Sequence, residues 1–339
     1  MIHSAAITVT DPSHVGDARR KAVLLAHDLG FRETDRGKVG IVITEIANNL
    51  VHHGKAGQLL LHPLERQGVS GIEILALDRG QGMLNISECL EDGFSTAGTG
   101  GNGLGAIDRL SSLLEIYSLP QKGTALLCQL WATNSLSNNL SSAGERLQIG
   151  AICLPKAGEE VSGDAWGRWR SVDDRHLLMV VDGLGHGEMA AQASAVALRA
   201  LQENADRSPG DILQAIHSAS RGTRGSAVAI AEVNLAAQTF QYAGVGNIAG
   251  VLAAEGRSSS LVSHHGTIGH EARKIQTFSH VWNPEGLLIL HSDGLSNHWQ
   301  IDRYPGLIHK QPSLIAGVLY RDFCRDRDDI TVVVAREVK

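Results

Sequence analysis

Five aspartates in the second half of this 339-residue chain sit where apolar runs begin or end. Asp182 closes LLMVV and opens DGLGHG, and Asp293 follows LLILHS and opens DGLSN. Asp328 and Asp329 directly precede ITVVVA, and Asp164 lies in SGDAWG. Apolar runs of this length read as strands, and strand ends are rigid places where sequence-distant carboxylates can meet. Carboxylate oxygens suit hard divalent cations such as Mg²⁺ and Mn²⁺, and a pair of such ions activates water for attack on phosphorus. A single Asp-Gly is more commonly a turn; acids repeatedly tied to apolar runs point to a site instead. His186 and His291 occupy the same segments and read as supports of the fold rather than as chemistry. Cys89, Cys128, Cys153 and Cys324 lack the close pairing of zinc or redox sites, so they read as buried, reduced thiols.

The first half carries a second constellation. Glu45 and Asn49 are four residues apart and share one helical face, with His52 and His53 a turn further on. A carboxylate there can orient a water or hydroxyl and an amide oxygen can ligate Mg²⁺; a solvated polar face is the alternative. Asp78 ends IEILAL and opens DRGQG. An acidic acceptor so placed can bind an exocyclic amine such as that of adenine, while Gly80 and Gly82 let backbone approach a ligand. Gly98, Gly100, Gly101, Gly103 and Gly105 lead into a helix expected over 104–116, whose N–H groups could hold phosphates. No Gly-Lys-Ser/Thr follows, so this is not a P-loop.

The elements that must position these groups follow from periodicity. Val39, Val42, Ile43, Ile46 and Leu50 recur at steps of three and four, one face of a helix starting near Lys38. Strands are expected at 72–77 and 124–131, and with few tight hairpins the half reads as an α/β sandwich. In the second half, strands are expected at 149–154, 177–181, 227–233, 248–253, 287–290 and 330–335, with helices at 188–204 and 209–219. That order fits two sheets covered by helices. The polar segment NSLSNNLSSAGE (134–145) reads as a linker between domains at 1–133 and 146–339.

Hydrophobic residues make up 43% and charged residues 19%, enough apolar mass for two cores. The net charge of −6 and the lack of a Lys/Arg block argue against nucleic acid as a partner. No apolar run long enough to cross a bilayer and no basic-then-apolar leader is seen, so no membrane association and a cytoplasmic location are expected.

In order, TEIANNLVHHG (44–54), DRGQG (78–82), GTGGNGLGAIDRL (98–110) and KGTAL (122–126) resemble the GHKL ATPase fold over residues 5–132. Within that fold they are most similar to the small anti-sigma-factor serine kinases of bacteria. The resemblance implies ATP with Mg²⁺, Glu45 as general base, Asn49 as Mg²⁺ ligand and Asp78 for adenine. It further implies Gly80, Gly82, Gly101, Gly103 and Gly105 for the nucleotide loops, and Thr124 near adenine. No phosphorylatable histidine box precedes the domain, which argues against a histidine kinase, and the resemblance implies a serine or threonine on a small partner protein as the acceptor.

SGD (162–164), VVDGLGHG (180–187), GVGN (244–247), HSDGLSN (291–297) and RDDITVVVAR (327–336) resemble the protein phosphatase 2C superfamily over residues 146–337. The bacterial branch related to the sporulation stage II phosphatase is the most similar. The resemblance implies an αββα sandwich that removes phosphate from phosphoserine or phosphothreonine with two Mn²⁺ or Mg²⁺ ions. Asp182 would bridge the ions, with the Gly183 carbonyl, Asp293 and Asp329 completing the site and Asp164 at its edge. The superfamily's phosphate-binding arginine has no assignable counterpart, which leaves the orientation of the substrate phosphate open. Together the resemblances imply opposed activities on a small partner of the sulphate-transporter/anti-sigma-antagonist (STAS) type, controlling a sigma factor or a related output, with a homodimer a further expectation. A phosphatase governed by a non-catalytic ATP sensor is the alternative, against which the intact Glu45 argues.

Overall fold

The computed structural model of the chain describes residues 5–90, 103–133, 146–171 and 173–338. The expected linker 134–145 and Gly98, Gly100 and Gly101 lie outside the described residues. The chain divides into two units, Met1–Ser142 and Ala143–Lys339.

In the first unit, Asp11 accepts a hydrogen bond from the Ser13 N–H and Pro12 opens the first helix, α1 (Pro12–Asp28), a pairing of cap and fixed φ that starts helices well. Its buried stripe is Ala18, Ala22 and Ala26, small residues one turn apart that let the neighbouring helix approach closely. That neighbour is α2 (Glu33–His53), with acids in its first turn, His52 and His53 in its last, and Val39, Val42, Ile43, Ile46 and Leu50 buried. The strands are β1 (Ala5–Thr8), β2 (Gln58–Arg66), β3 (Val69–Leu77), β4 (Leu113–Leu119) and β5 (Gly123–Trp131), with short helices α3 (Ile86–Leu90) and α4 (Gly103–Leu110) between β3 and β4. They form one sheet in the order β1-β2-β3-β5-β4, antiparallel throughout. Alternate residues such as Leu59, Leu61, Ile72, Ile74, Leu126 and Cys128 face the helices and fill a two-layer α/β core.

Two expectations need correction here. The helix expected over 104–116 ends at Leu110, and Leu113–Leu119 is strand β4, paired antiparallel with β5. Leu113, Leu114, Ile116 and Tyr117 fit either period, and pairing along β5 decides in favour of the sheet. The half is also not poor in tight hairpins: Gln67 (φ 52°) and Gly68 (φ 75°) join β2 to β3 in a two-residue turn, the left-handed pair that matches strand twist.

The second unit holds β6 (Leu147–Leu154), β7 (Asp164–Arg170), β8 (Arg175–Gly183), α5 (Glu188–Glu203), α6 (Pro209–Ala219), β9 (Ser226–Asn234), β10 (Thr239–Val245), β11 (Ala249–Ala254), β12 (Arg257–Ser260), β13 (Phe278–Val281), β14 (Leu287–His291), α7 (Pro312–Phe323) and β15 (Ile330–Glu337). Two five-stranded antiparallel sheets run β13-β10-β9-β8-β7 and β12-β11-β14-β15-β6. Their facing sides share a core that includes Leu178, Val180, Ala229, Tyr242, Leu288, Leu290 and Val333. Helices α5 and α6 cover the first sheet through Ala197, Leu201, Ile212 and Ile216, against Leu177, Met179 and Ile230. Helix α7 covers the second sheet, where its Ser313 backbone approaches so closely at Gly150 that no Cβ fits. The result is an αββα sandwich.

Candidate functional site

The carboxylates of the second unit converge because of where their strands stop. Asp164 opens β7 and Asp182 lies at the penultimate position of β8, and the register pairs them directly. Asp293 stands two residues beyond β14, and Asp329 immediately precedes β15, on the opposite sheet. Two main-chain amides tie Asp329 down: Lys156 N–H donates to its Oδ1 at 2.8 Å and Gly163 N–H to its Oδ2 at 2.9 Å. The second of these links the lead into β7 with the lead into β15. Asn247 donates from Nδ2 to Asp293 Oδ2 at 2.6 Å. Gly183 ends β8 beside Asp182; its N–H donates to the Gly163 carbonyl at 3.2 Å, and a Cβ there would overlap the Ala190 carbonyl.

The electrostatics follow from burial and like charge. Asp164 is 2% exposed, and its carboxyl is held well above the usual range by burial first and then by the Asp182 charge. Its Oδ2 is buried and takes no hydrogen bond. Asp182 is pushed up to about 7 by burial, then by Asp293, Asp328 and Asp329. Asp293 and Asp329 are raised mainly by burial; the amides of Lys156 and Gly163 partly offset this at Asp329. The two histidines have structural work. His291 is buried, with Nδ1 on the Ser292 carbonyl at 2.8 Å, and receives the Trp299 indole N–H at Nε2, 3.2 Å away. His186 Nδ1 meets Glu159 Oε1 at 2.6 Å. Cys153 and Cys128 are buried thiols pushed up to about 12 by desolvation, unsuited to nucleophilic work.

Among the described residues no group of three or more His, Cys, Asp or Glu side chains forms a cage for a metal ion. Asp164 and Asp182 instead face each other across the β7–β8 ladder, and Asp164 Oδ2 is an orphaned buried oxygen. Mg²⁺ is typically held by one or two carboxylates and keeps several waters, so this all-oxygen donor set fits it and Mn²⁺.

In the first unit, Glu45 and Asn49 lie half-buried on α2, and the backbone of α4 crosses them: a Cβ at Gly103 would stand 2.9 Å from Glu45 Oε2 and 3.9 Å from Asn49 Oδ1. Asp78 follows β3, receives the Gly80 N–H at Oδ1 (2.6 Å), and gives its own N–H to the Thr124 carbonyl at 2.9 Å. A Cβ at Gly80 would overlap the His53 carbonyl and lie 2.8 Å from Asp78 Oδ1. Gly82 adopts φ 70° against the Leu119 carbonyl, and Gly105 is buried in α4. Thr124 Oγ1 pairs with Ser118 Oγ at 2.9 Å, and that same Ser118 hydroxyl accepts the Met83 N–H. Asp78, Gly80, Gly82 and Thr124 therefore share one loop cluster, while Glu45, Asn49 and Gly103 form another on the α2 face. Gly101 lies outside the described residues. Residues the sequence did not mark as functional are Asn247, Lys156, Gly163 and Ser118; only the GVGN and SGD segments hinted at two of them.

These arrangements define a two-part signalling enzyme, a kinase-like ATPase module followed by a metal-dependent phosphatase module of the protein phosphatase 2C type. Residues 8–129 match the histidine kinase-like ATPase domain family and residues 172–337 the stage II sporulation protein E (SpoIIE) family. A serine/threonine-protein kinase, RsbT of Bacillus subtilis (strain 168), is 32% identical over 114 residues, 34% of this chain and 86% of RsbT. A phosphoserine phosphatase of the same strain, RsbX, is 30% identical over 155 residues, 45% of this chain and 76% of RsbX. A chain solved in work on the bacterial stressosome, a modular system adapted to control secondary messenger signaling, superposes with a TM-score of 0.53 at 26% identity, covering 57% of this chain and all of that one. RsbX in complex with magnesium shares the fold, with a TM-score of 0.50 at 22% identity over 57% of this chain and 96% of that one. The chain belongs to the histidine kinase-like ATPase family in its first part and to the SpoIIE phosphatase family in its second. No helix among the described residues is long and apolar enough to cross a membrane.

Proposed function

We propose that the second unit removes phosphate from serine or threonine of a small STAS-type protein, and that the first unit binds ATP with Mg²⁺ and phosphorylates the same protein or a close relative. The observation that carries the phosphatase half is the set Asp164, Asp182, Asp293 and Asp329, gathered from both sheets and all raised by burial, Asp164 and Asp182 also by their neighbours in the set and Asp293 and Asp329 by Asp328. In this reading Asp182, Asp293, Asp329 and the Gly183 carbonyl would hold Mn²⁺ or Mg²⁺, with Asp164 contributing at the edge of the site. Bound there, such ions supply positive charge to phosphoryl oxygens and make water a stronger acid. The chain's own contribution is to fix the carboxylates in advance: the amides of Lys156 and Gly163 orient Asp329, and the Asn247 amide orients Asp293.

In the first unit, Glu45 would take the proton of the acceptor hydroxyl as that oxygen attacks the γ-phosphorus and ADP leaves, Asn49 would hold Mg²⁺, and Asp78 with Thr124 would receive the adenine. Gly80, Gly82, Gly101, Gly103 and Gly105 give the nucleotide access to backbone. The closeness of Gly103 to Glu45 and Asn49 supports this reading, because phosphates held at α4 would stand beside the base. The kinase and the phosphoserine phosphatase among the relatives support opposed activities on one protein phosphate.

The test uses Asp182→Asn protein, radiolabelled ATP and lysate of the source organism, with wild type and an Asp182→Asn/Glu45→Ala double variant alongside. One small protein labelled by the single variant alone, and stripped when wild type is added later, is the expected result. Hydrolysis of an aryl phosphate by wild type with Mn²⁺ but no labelled band would overturn the kinase half and leave an ATP sensor governing the phosphatase.

A further inference from the structure

We infer that Arg224 is the side chain that receives the substrate's phosphate, a step that rests on the phosphatase reading above. A phosphate monoester entering the cluster of Asp164, Asp182, Asp293, Asp328 and Asp329 meets like charge wherever cations do not cover it. His186 cannot serve freely, because Glu159 already holds it at 2.6 Å. Arg325 acts on Asp293, whose carboxyl it lowers. Arg224, exposed as Arg325 is, likewise makes no side-chain hydrogen bond or ion pair among the described residues, and its Nη1 stands against Gly185 in the loop after Asp182.

Its position is fixed by two main-chain contacts of its neighbours and by one histidine. The Gly225 carbonyl accepts the Leu184 N–H at 3.0 Å, Ser226 pairs with Gly183 in the β8–β9 register, and His270 Nε2 sits 2.9 Å from the Arg224 carbonyl. These contacts set the guanidinium against the loop that follows Asp182. A Cβ built at Gly185, which adopts φ 90°, would meet only Arg224 Nη1, at 3.1 Å. The Gly185 carbonyl and Asp329 Oδ2 both stand within 3.4 Å of a Cβ placed on Gly163, so this loop borders the carboxylates directly. A planar fork of donors with no partner among the described residues, at the rim of an acidic site for an anionic substrate, matches a phosphate group. It also answers the missing phosphate-binding arginine of the wider superfamily from a different place in the chain.

The experiment compares full-length wild type, Arg224→Ala, Arg224→Lys and Arg221→Ala, the last an exposed control from the same segment. Two quantities are read with Mn²⁺ present: the Kd of inorganic phosphate by calorimetry, and KM and kcat on a phosphoserine peptide. Arg224→Ala is expected to raise both the phosphate Kd and KM by about tenfold or more, with a smaller change in kcat. Arg224→Lys recovers part of the loss, while Arg221→Ala and the Mn²⁺ concentration for half-activation stay as in wild type. An unchanged phosphate Kd in Arg224→Ala overturns the proposal. A wild type that binds phosphate through Arg224 but cleaves no phosphopeptide would instead overturn the phosphatase reading, so the two failures are told apart.

Discussion

Asp164 faces Asp182 across the β7–β8 pair, two carboxylates at one register position of an antiparallel ladder. Like charges placed directly opposite destabilise a sheet, and burial of Asp164 adds to the cost. In the metal-free protein the pair relieves that repulsion by keeping protons, since burial and like charge raise both carboxyls.

The first prediction is the pH dependence of the metal-free protein. The folded carboxyl of Asp182 sits at about 7 against an ordinary 3.8, and Asp164 is shifted the same way. The folded state therefore holds protons that the unfolded chain has released, so stability is greatest at low pH and falls as pH rises from about 4 to about 7. Melting curves in chelator from pH 5 to 8 should show this fall in the second unit's transition. Mn²⁺ should reverse it at pH 7.5, and Asp182→Asn should flatten it. A transition independent of pH across that range would contradict the assignment.

Turnover is the second. Asp182→Asn should lower phosphopeptide hydrolysis at least about a thousandfold, with far-UV dichroism unchanged. A loss of only a few-fold would mean that Asp182 does not sit at the centre of the chemistry.

The Asn247–Asp293 hydrogen bond gives the third, at 2.6 Å. Asn247→Ala leaves every carboxylate in place but frees Asp293 to turn. Loss of such a supporting contact typically costs about 10- to 100-fold in metal affinity or activity, so the Mn²⁺ concentration for half-maximal activity should rise by that order. An unchanged Mn²⁺ titration with lowered activity would give Asn247 a different task.

The fourth separates the two units. A Cβ at Gly80 has no room between the His53 carbonyl and Asp78 Oδ1, so Gly80→Ala must displace Asp78. Fluorescent-nucleotide titration should show ATP binding weakened by about tenfold or more, while aryl phosphate hydrolysis with Mn²⁺ stays at the wild-type rate. Equal nucleotide affinity in the variant would remove Asp78 from the adenine site.

Much of the second unit is legible in the chain because its acids interrupt uniform apolar runs, as LLMVV does before Asp182 and ITVVVA after Asp329. Buried strands leave that signature directly. Helices α5 and α6 are as plain, expected at 188–204 and 209–219, but two others are harder to see. Helix α1 buries only Ala18, Ala22 and Ala26, too small to stand out as a stripe, and α7 is apolar on nearly all sides, so no period marks it. The start of β4, residues 113–116, reads as helix until β5 is there to pair with it.

Roles made by tertiary contact are the least visible. Nothing in GVGN says that Asn247 reaches a residue 46 positions away, and nothing in SGD says that the Gly163 amide will hold Asp329. Glu45 and Asn49 announce a shared face through spacing alone, whereas their closeness to Gly103 needs the fold of α4 over α2.

The carboxylates are divided between two sheets that share no strand hydrogen bond in their ladders: Asp164 and Asp182 ride on one, Asp293 and Asp329 on the other. Only side chains interdigitating across the core, together with a few contacts such as Gly163 to Asp329, keep the two halves in step. A shear of one sheet against the other alters carboxylate spacing before it breaks a single rung within either sheet. Densely packed interiors pass on such strain rather than absorbing it. Helix α5 bears directly on the seam between the sheets, because Ala190 packs against Gly183 and Gly163 and the Ser194 hydroxyl donates to the Gly163 carbonyl, so a force on α5 becomes a change of fit among the acids.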